Sequence, residues 1–190
     1  MEKWIETIID KKIELLNSLK KDKYLDDVVV AGNLMAAAIK NGNKIMVAGN
    51  GGSACDAQHL VGELVGRFLI ERNPMPAITL GTDIAVTTSI SNDYGFDDAF
   101  ARQLMGLGVA GDIFVGISTS GNSENILRAA EVAKIQGMKT IGLLGKDGGK
   151  IAKVCDISLI VPENHVPRIQ EIHTLTVHIL CEMIEKEINS

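Results

Sequence analysis

Five short apolar runs recur along the chain, at Lys44–Ala48, Ala77–Leu80, Asp112–Ile117, Thr140–Leu144 and Ile157–Val161. Most of them are separated by segments of helical character, near residues 54–70, 84–106 and 123–136. Short apolar strands that alternate with helices form parallel β/α units, because such strands must be covered on both faces. The pattern predicts an α/β fold with a five-stranded parallel sheet flanked by helices, Rossmann-like in its layering.

Two further helices precede the first run. In one, Ile5, Ile8, Ile9, Ile13, Leu15, Leu16 and Leu19 recur at helical spacing between charges. The other spans about Tyr24 to Lys40 and stops at Asn41-Gly42, a C-cap signal. A last helix covers about Arg168 to Asn189. No linker, repeat or low-complexity segment interrupts the 190 residues. One domain over 1–190 is expected, with N-terminal helices in 1–41 and the α/β core and C-terminal helix in 42–190. A chain of this length buries enough surface to fold without metal or disulfide staples.

Composition narrows the function classes. The net charge is −5, and aromatic residues are 4% of the chain. The basic footprint of a duplex-binding protein and broad aromatic platforms for base stacking are both missing, so no nucleic-acid partner is expected. Cys55, Cys155 and Cys181 are odd in number and widely spaced, which fits a reduced compartment better than a disulfide framework. The N-terminus mixes charges with apolar residues and lacks a signal-peptide core. The most apolar stretch, Val28 to Ile39, is too short to span a bilayer. A soluble, cytoplasmic protein with no membrane partner is expected.

Small polar and glycine residues follow four of the runs, in GNGGS, GTD, STSGNS and GKDGG. In an open parallel sheet, ligands bind beyond the carboxyl ends of the strands, where the strand order reverses. The loop Ser118-Thr119-Ser120-Gly121-Asn122-Ser123 leads straight into a helix. Its hydroxyls and the free N–H groups of that helix start make an anion site. No GxxxxGK[ST] string is present, which argues against a nucleotide P-loop. Serine and asparagine also cap helices without binding anything, so the loop alone leaves both readings open.

His59 and Glu63 are spaced i, i+4, on one face of a helix. That pair suits a divalent metal, a base with its partner, or a plain surface contact. Glu63 lies among Leu60, Val61, Leu64 and Val65, where a carboxylate is costly unless paired or used. The last helix carries Gln170, His173 and His178. His173 reads as a core histidine, and His165, before Pro167, reads as having no role.

Taken in order, Gly49-Asn50-Gly51-Gly52-Ser53, Asp56-Ala57-Gln58-His59, Glu63-Leu64, Ser91-Asn92-Asp93-Tyr94-Gly95-Phe96, GISTSGNS at 116–123, Arg168-Ile169-Gln170-Glu171 and His178 resemble the sugar isomerase (SIS) domains. Within them the resemblance is to the branch acting on seven-carbon sugar phosphates, and it runs to about Lys186. It implies ketose–aldose isomerisation of sedoheptulose 7-phosphate to D-glycero-D-manno-heptose 7-phosphate through an enediol, feeding lipopolysaccharide or capsule synthesis. It makes Glu63 the base and His178 the acid. It gives Ser118, Thr119, Ser120 and Ser123 to the phosphate. Asn50, Gly51, Gly52, Ser53, Arg67, Asn92, Asp93 and Gln170 fall to the rest of the sugar. In some members His59, Glu63, Gln170 and His178 hold zinc, one ion per site.

Gln170 and His178 are eight residues apart, about 12 Å along a helix. They share one metal only at full stretch, across a bend, or from two subunits. The apolar stripe of the first helix also needs a partner beyond the sheet's own helices. A closed homo-oligomer is expected, a tetramer with active sites at subunit interfaces. The resemblance admits an alternative, a non-catalytic SIS tetramer that binds the bacterial replication initiator. That relative lacks the residues matching Glu63 and His178, and both are present here. Pro167, Leu69 and Ile70 depart from the residues common in the family and bear on substrate detail.

Overall fold

The computed structural model describes residues 1–21 and 23–189. Helices α1 (Glu2–Leu19) and α2 (Tyr24–Lys40) lead into strand β1 (Ile45–Gly49). Then follow α3 (Gly52–Val65), β2 (Ala77–Thr79), α4 (Ile84–Tyr94), α5 (Ala99–Leu107) and β3 (Ile113–Ser118). The chain closes with α6 (Glu124–Ile135), β4 (Lys139–Gly145), β5 (Ile157–Val161) and α7 (Val166–Ile188). All strand pairs are parallel, in the order β2-β1-β3-β4-β5. The sheet and its flanking helices agree with the expectation from the apolar runs.

Strand alternation sorts the core into two layers. Ile45 and Val47 of β1 and Ile113, Val115 and Ile117 of β3 face α2, α3 and α7. Met46, Ala48 and Phe114 face the other way, onto α5 and α6. The central strands β1 and β3 are buried at every position, whereas edge strand β2 is not. Burial on both faces is why these strands are apolar throughout rather than alternating.

One expected helix is two. The segment 84–106 breaks at Gly95, whose φ of 97° ends α4. A side chain at that angle is strained, so glycine is the residue that permits the break. A 3₁₀ turn at Phe96–Asp98 then leads into α5. Helix α3 also ends earlier than expected, at Val65, and the chain leaves it through Gly66.

Helix α7 is the central strut of its layer. The Tyr24 hydroxyl and the Thr176 Oγ1 share a buried hydrogen bond of 2.7 Å, joining α2 to α7. Burial raises the Tyr24 hydroxyl to about 12, with the Thr176 bond opposing the rise. Lys12 of α1 donates to Glu171 Oε2 at 2.8 Å. Leu15 and Leu19 are buried, but Ile5, Ile9 and Ile13 are about half exposed within the single chain. Helix α4 buries no residue at all.

His173 is fully buried on α7, its Nε2 hydrogen-bonded at 3.1 Å to the Leu144 carbonyl. The core assignment from sequence therefore agrees with its position. Desolvation lowers its basicity, and the Leu144 bond and the nearby Asp56 charge only partly restore it. The unfolded chain then binds more protons than the folded chain just below the ordinary histidine value near 6.5. Stability from this group is complete above pH 6.5 and declines as the pH falls through the window below. His173→Gln, which keeps a donor for Leu144, should show a smaller loss of melting temperature than wild type between pH 7 and pH 5. Equal losses in the two proteins would remove His173 as a source of acid sensitivity.

Candidate active site

The strand order reverses between β1 and β3, so the loops that follow them part to either side of one crevice. Asn50 follows β1, and Asn125 stands in the first turn of α6 after β3. Their side-chain amides exchange two hydrogen bonds, of 2.9 and 3.0 Å. This bridge ties the two loops together across the crevice. Gly49 is required at the mouth of the first loop, because a Cβ there would strike the Ser53 carbonyl. Ser53 is buried in the first turn of α3.

The serine loop is internally bonded. Ser118 Oγ lies 2.9 Å from Ser123 Oγ and 3.4 Å from Ser120 Oγ. The Asn122 N–H donates to Ser120 Oγ at 3.1 Å. Ser123 occupies the N-cap of α6, yet its side chain does not cap that helix. A capping serine bonds the N–H groups of the first turn. Here the hydroxyl pairs with Ser118, and no side chain of the cap position blocks the amide end of the helix. Thr119 and Ser120 are half-buried on the same turn.

A second group forms between α3 and α7, which run in the same direction. Gln170 packs over Gly52, where any Cβ would collide with its amide. One turn on, Thr174 Oγ1 donates to Asp56 Oδ1 at 2.7 Å. Another turn on, His178 Nε2 lies 3.2 Å from His59 Nε2. His59 Nε2 is in turn 3.1 Å from Glu63 Oε1. One ligand atom from each of His59, Glu63 and His178 falls within 4.8 Å of the others. The two imidazoles meet edge to face, and the Phe68 ring stacks on His178 at 5.6 Å with a 22° tilt.

These three groups suit a divalent cation. Two imidazole nitrogens and a carboxylate oxygen form a set that catalytic zinc sites use, with a fourth position left open. Bonds of about 2.0–2.1 Å at tetrahedral angles put neighbouring ligand atoms about 3.3 Å apart. The 3.1 and 3.2 Å separations from His59 are close to that spacing, and the third pair, Glu63 with His178, lies within 4.8 Å. Gln170 is not brought into the cluster within the chain. It sits at Gly52, seven residues and about 10 Å along α3 from His59.

The remaining expected residues are spread out. Arg67 follows the far end of α3, about 20 Å along the helix from the glycine loop. It is exposed and makes a 3.8 Å ion pair with Glu71. Asn92 and Asp93 are exposed at the end of α4 and bond each other at 2.8 Å. A cavity of about 190 Å³ opens beside the glycine loop, against Asn50, Gly51, Gln58, Thr79 and Thr87, and none of these three residues lines it. Asn125 and Phe68 are structural members of the site that motif reading passed over. An amide placed directly before the apolar pair Ile126-Leu127 was the available signal for Asn125.

Known proteins bear on this arrangement. A family model described as the SIS domain matches residues 9–145. The phosphoheptose isomerase of Sulfurimonas denitrificans is 47% identical over 189 residues, covering 99% of this chain and 97% of that protein. The phosphoheptose isomerase of Helicobacter hepaticus is 52% identical over 185 residues, 96% of this chain and 94% of that protein. The solved phosphoheptose isomerase of Neisseria gonorrhoeae superposes with a TM-score of 0.91 at 40% identity, over 97% of this chain and 98% of that one.

The Asn50–Asn125 bridge yields a prediction. Asn125→Ala leaves the Asn50 amide without its partner in a half-buried place. A loss of about 1–3 kcal/mol is expected by urea unfolding, with the slope of the transition unchanged. A loss below a few tenths would mean that water replaces the bridge at no cost.

Proposed function

The chain belongs to the SIS-domain family, on its phosphoheptose isomerase branch, and from that premise we propose how its residues isomerise sedoheptulose 7-phosphate. The reaction is an aldose–ketose isomerisation, giving D-glycero-D-manno-heptose 7-phosphate. The observation that carries the assignment of roles is the convergence of His59, Glu63 and His178 on one point between two parallel helices.

Isomerisation moves one proton between C1 and C2 and one between their oxygens. Glu63 takes the proton from C1 of the ketose as His178 protonates the C2 oxygen, and an enediol results. Glu63 then returns the proton to C2, and His178 recovers one from the C1 oxygen, leaving an aldehyde. No atom is gained or lost. Glu63 is suited to the work because His59, at Oε1, steadies and orients the carboxylate. A positioned base of this kind contributes about 10²–10⁴-fold to rate. His59, Glu63 and His178 are the residues that would hold one zinc ion. Bound there, a divalent ion supplies Lewis-acid polarisation of the sugar carbonyl, a role otherwise left to His178.

The serine loop receives the phosphate. Ser118, Thr119, Ser120 and Ser123 offer hydroxyls, and α6 offers an uncapped amide end. Asn50, Gly51, Gly52, Ser53 and Gln170 surround the neighbouring loop and take the sugar hydroxyls.

The glycine loop and the His–Glu cluster are separated by at least 10 Å of helix within the chain. Arg67, Asn92 and Asp93 lie apart from both. The half-exposed stripe of α1 and helix α4, which has no fully buried residue, favour burial against other copies. These facts support a closed tetramer in which two subunits complete each site, and Gln170 then reaches a metal only across an interface. The enzyme would act in the cytoplasm, and its product would feed heptose synthesis for lipopolysaccharide or capsule. Binding of the replication initiator gains no support, because it calls for neither Glu63 nor His178.

Glu63→Gln should fold and bind substrate while turnover falls about 10²–10⁴-fold, followed by NMR of the two sugars. Near-native turnover would end the assignment. Ser120→Ala should weaken competitive inhibition by inorganic phosphate by a factor matching about 1.5–3 kcal/mol. Unchanged inhibition would put the phosphate elsewhere. Because Glu63 and His178 stand on one chain, shared sites are tested by mixing Ser120→Ala/Ser123→Ala chains with Glu63→Gln chains. Recovered activity after subunit exchange is expected. No recovery would mean that each site is built within one subunit.

A further inference from the structure

Among the described residues, one buried ion pair belongs to neither the phosphate loop nor the His–Glu cluster, yet it touches the frame of the latter. Arg72 Nε and Glu185 Oε1 are 2.8 Å apart, and both side chains are almost wholly buried, at 4% and 3% exposure. Glu185 also accepts the backbone N–H of Phe68 and of Leu69, each at 2.9 Å. Burial pushes its carboxyl upward, but those two amides and the guanidinium outweigh burial and hold it below the usual carboxylate range. Arg72 donates to the carbonyls of Glu63 at 2.7 Å and Leu64 at 2.9 Å. These are last-turn carbonyls of α3, which have no partner within the helix.

The bonds of the pair fall on one short segment. That segment begins at the backbone of Glu63 and includes Phe68, whose ring stacks on His178. The turn over residues 65–71 has little apolar burial of its own. Leu69 and Ile70 are 60% and 41% exposed, and Arg67 and Glu71 point to solvent. Within this turn Phe68 alone packs against the core, and it is only partly buried. Hydrogen bonds to Glu185 and Arg72 therefore fix where this turn lies. An ion pair is a poor choice for stability alone, since apolar residues of equal volume do as well. It is a good choice where two amides and two carbonyls must be held in fixed directions.

We propose that Arg72 and Glu185 are positioning residues for the isomerase site, seating Phe68 against His178 and the end of α3 beneath Glu63. Neither touches substrate. Their effect passes through the Phe68 ring, which limits rotation of the His178 imidazole, and through the Glu63 carbonyl. The inference rests on the reading that His59, Glu63 and His178 are the working cluster.

The test compares Glu185→Gln, Phe68→Leu and Phe68→Tyr with wild type in the assembled enzyme. Three quantities are read: kcat against KM for sedoheptulose 7-phosphate, affinity for Zn²⁺ alone by chelator competition, and the NMR resonances of the His178 ring protons. Those protons lie in the ring current of Phe68. Glu185→Gln and Phe68→Leu should each shift them, lower kcat about tenfold or more with KM within about threefold, and weaken Zn²⁺ by about tenfold or more. Supports behind metal-site histidines commonly have effects of this size. Phe68→Tyr, which keeps the stacked ring, should leave all three near wild type. A folded Glu185→Gln enzyme with unmoved His178 resonances and native kcat would overturn the proposal. If that variant does not fold, Phe68→Leu decides, and native kcat with native Zn²⁺ affinity overturns it. The NMR and Zn²⁺ readings need no turnover, so failure of the substrate reading and failure of the clamp are distinguished.

Discussion

Helices α3 and α7 lie side by side in the same direction, and their polar contacts keep step along both. Gln170 meets Gly52, Thr174 bonds Asp56, and His178 meets His59. Each step is one turn of α7, so a single register decides every contact. Shifting α7 by one residue would rotate His178 about 100° away from His59 and break the cluster. The register is held from outside as well. Tyr24 bonds Thr176 near its middle, and Glu185 anchors its end to the turn after α3.

The sheet contributes a different constraint. Reversal of strand order between β1 and β3 opens the crevice, and Asn50 and Asn125 fix its width with two bonds. The chemistry is therefore divided between two supports. Loops at the strand ends present hydroxyls and a helix amide end, suited to an anion. Parallel helices present two imidazoles and a carboxylate, suited to proton transfer or a cation. Neither support alone combines groups suited to an anion with groups suited to proton transfer.

Much of this was legible in the sequence because it depends on local pattern. Apolar runs such as DIFVGI are buried on both faces, and that alone requires helices on either side. The i, i+4 spacing of His59 and Glu63 sufficed to predict a shared face. The break at Gly95 was not legible, because a glycine within a helical pattern is tolerated unless tertiary packing needs the turn. Asn125 and Glu185 escaped notice for a related reason. Their partners are 75 and at least 113 residues away, and nothing in the local pattern reports such distances. Gln170 shows the converse. Its eight-residue distance from His178 signalled a geometric conflict, and the structure answers it by putting the amide on Gly52.

Isomerisation by Glu63 requires a proton to leave carbon and return through its carboxylate. Equilibrating sedoheptulose 7-phosphate with the enzyme in D₂O, and following the carbon-bound hydrogens by NMR, tests this most directly. Deuterium should accumulate at C1 of the ketose and C2 of the aldose as the two interconvert, and Glu63→Gln should suppress the exchange. Interconversion over many turnovers with the original hydrogen fully retained would indicate a direct hydride shift and contradict proton transfer through Glu63.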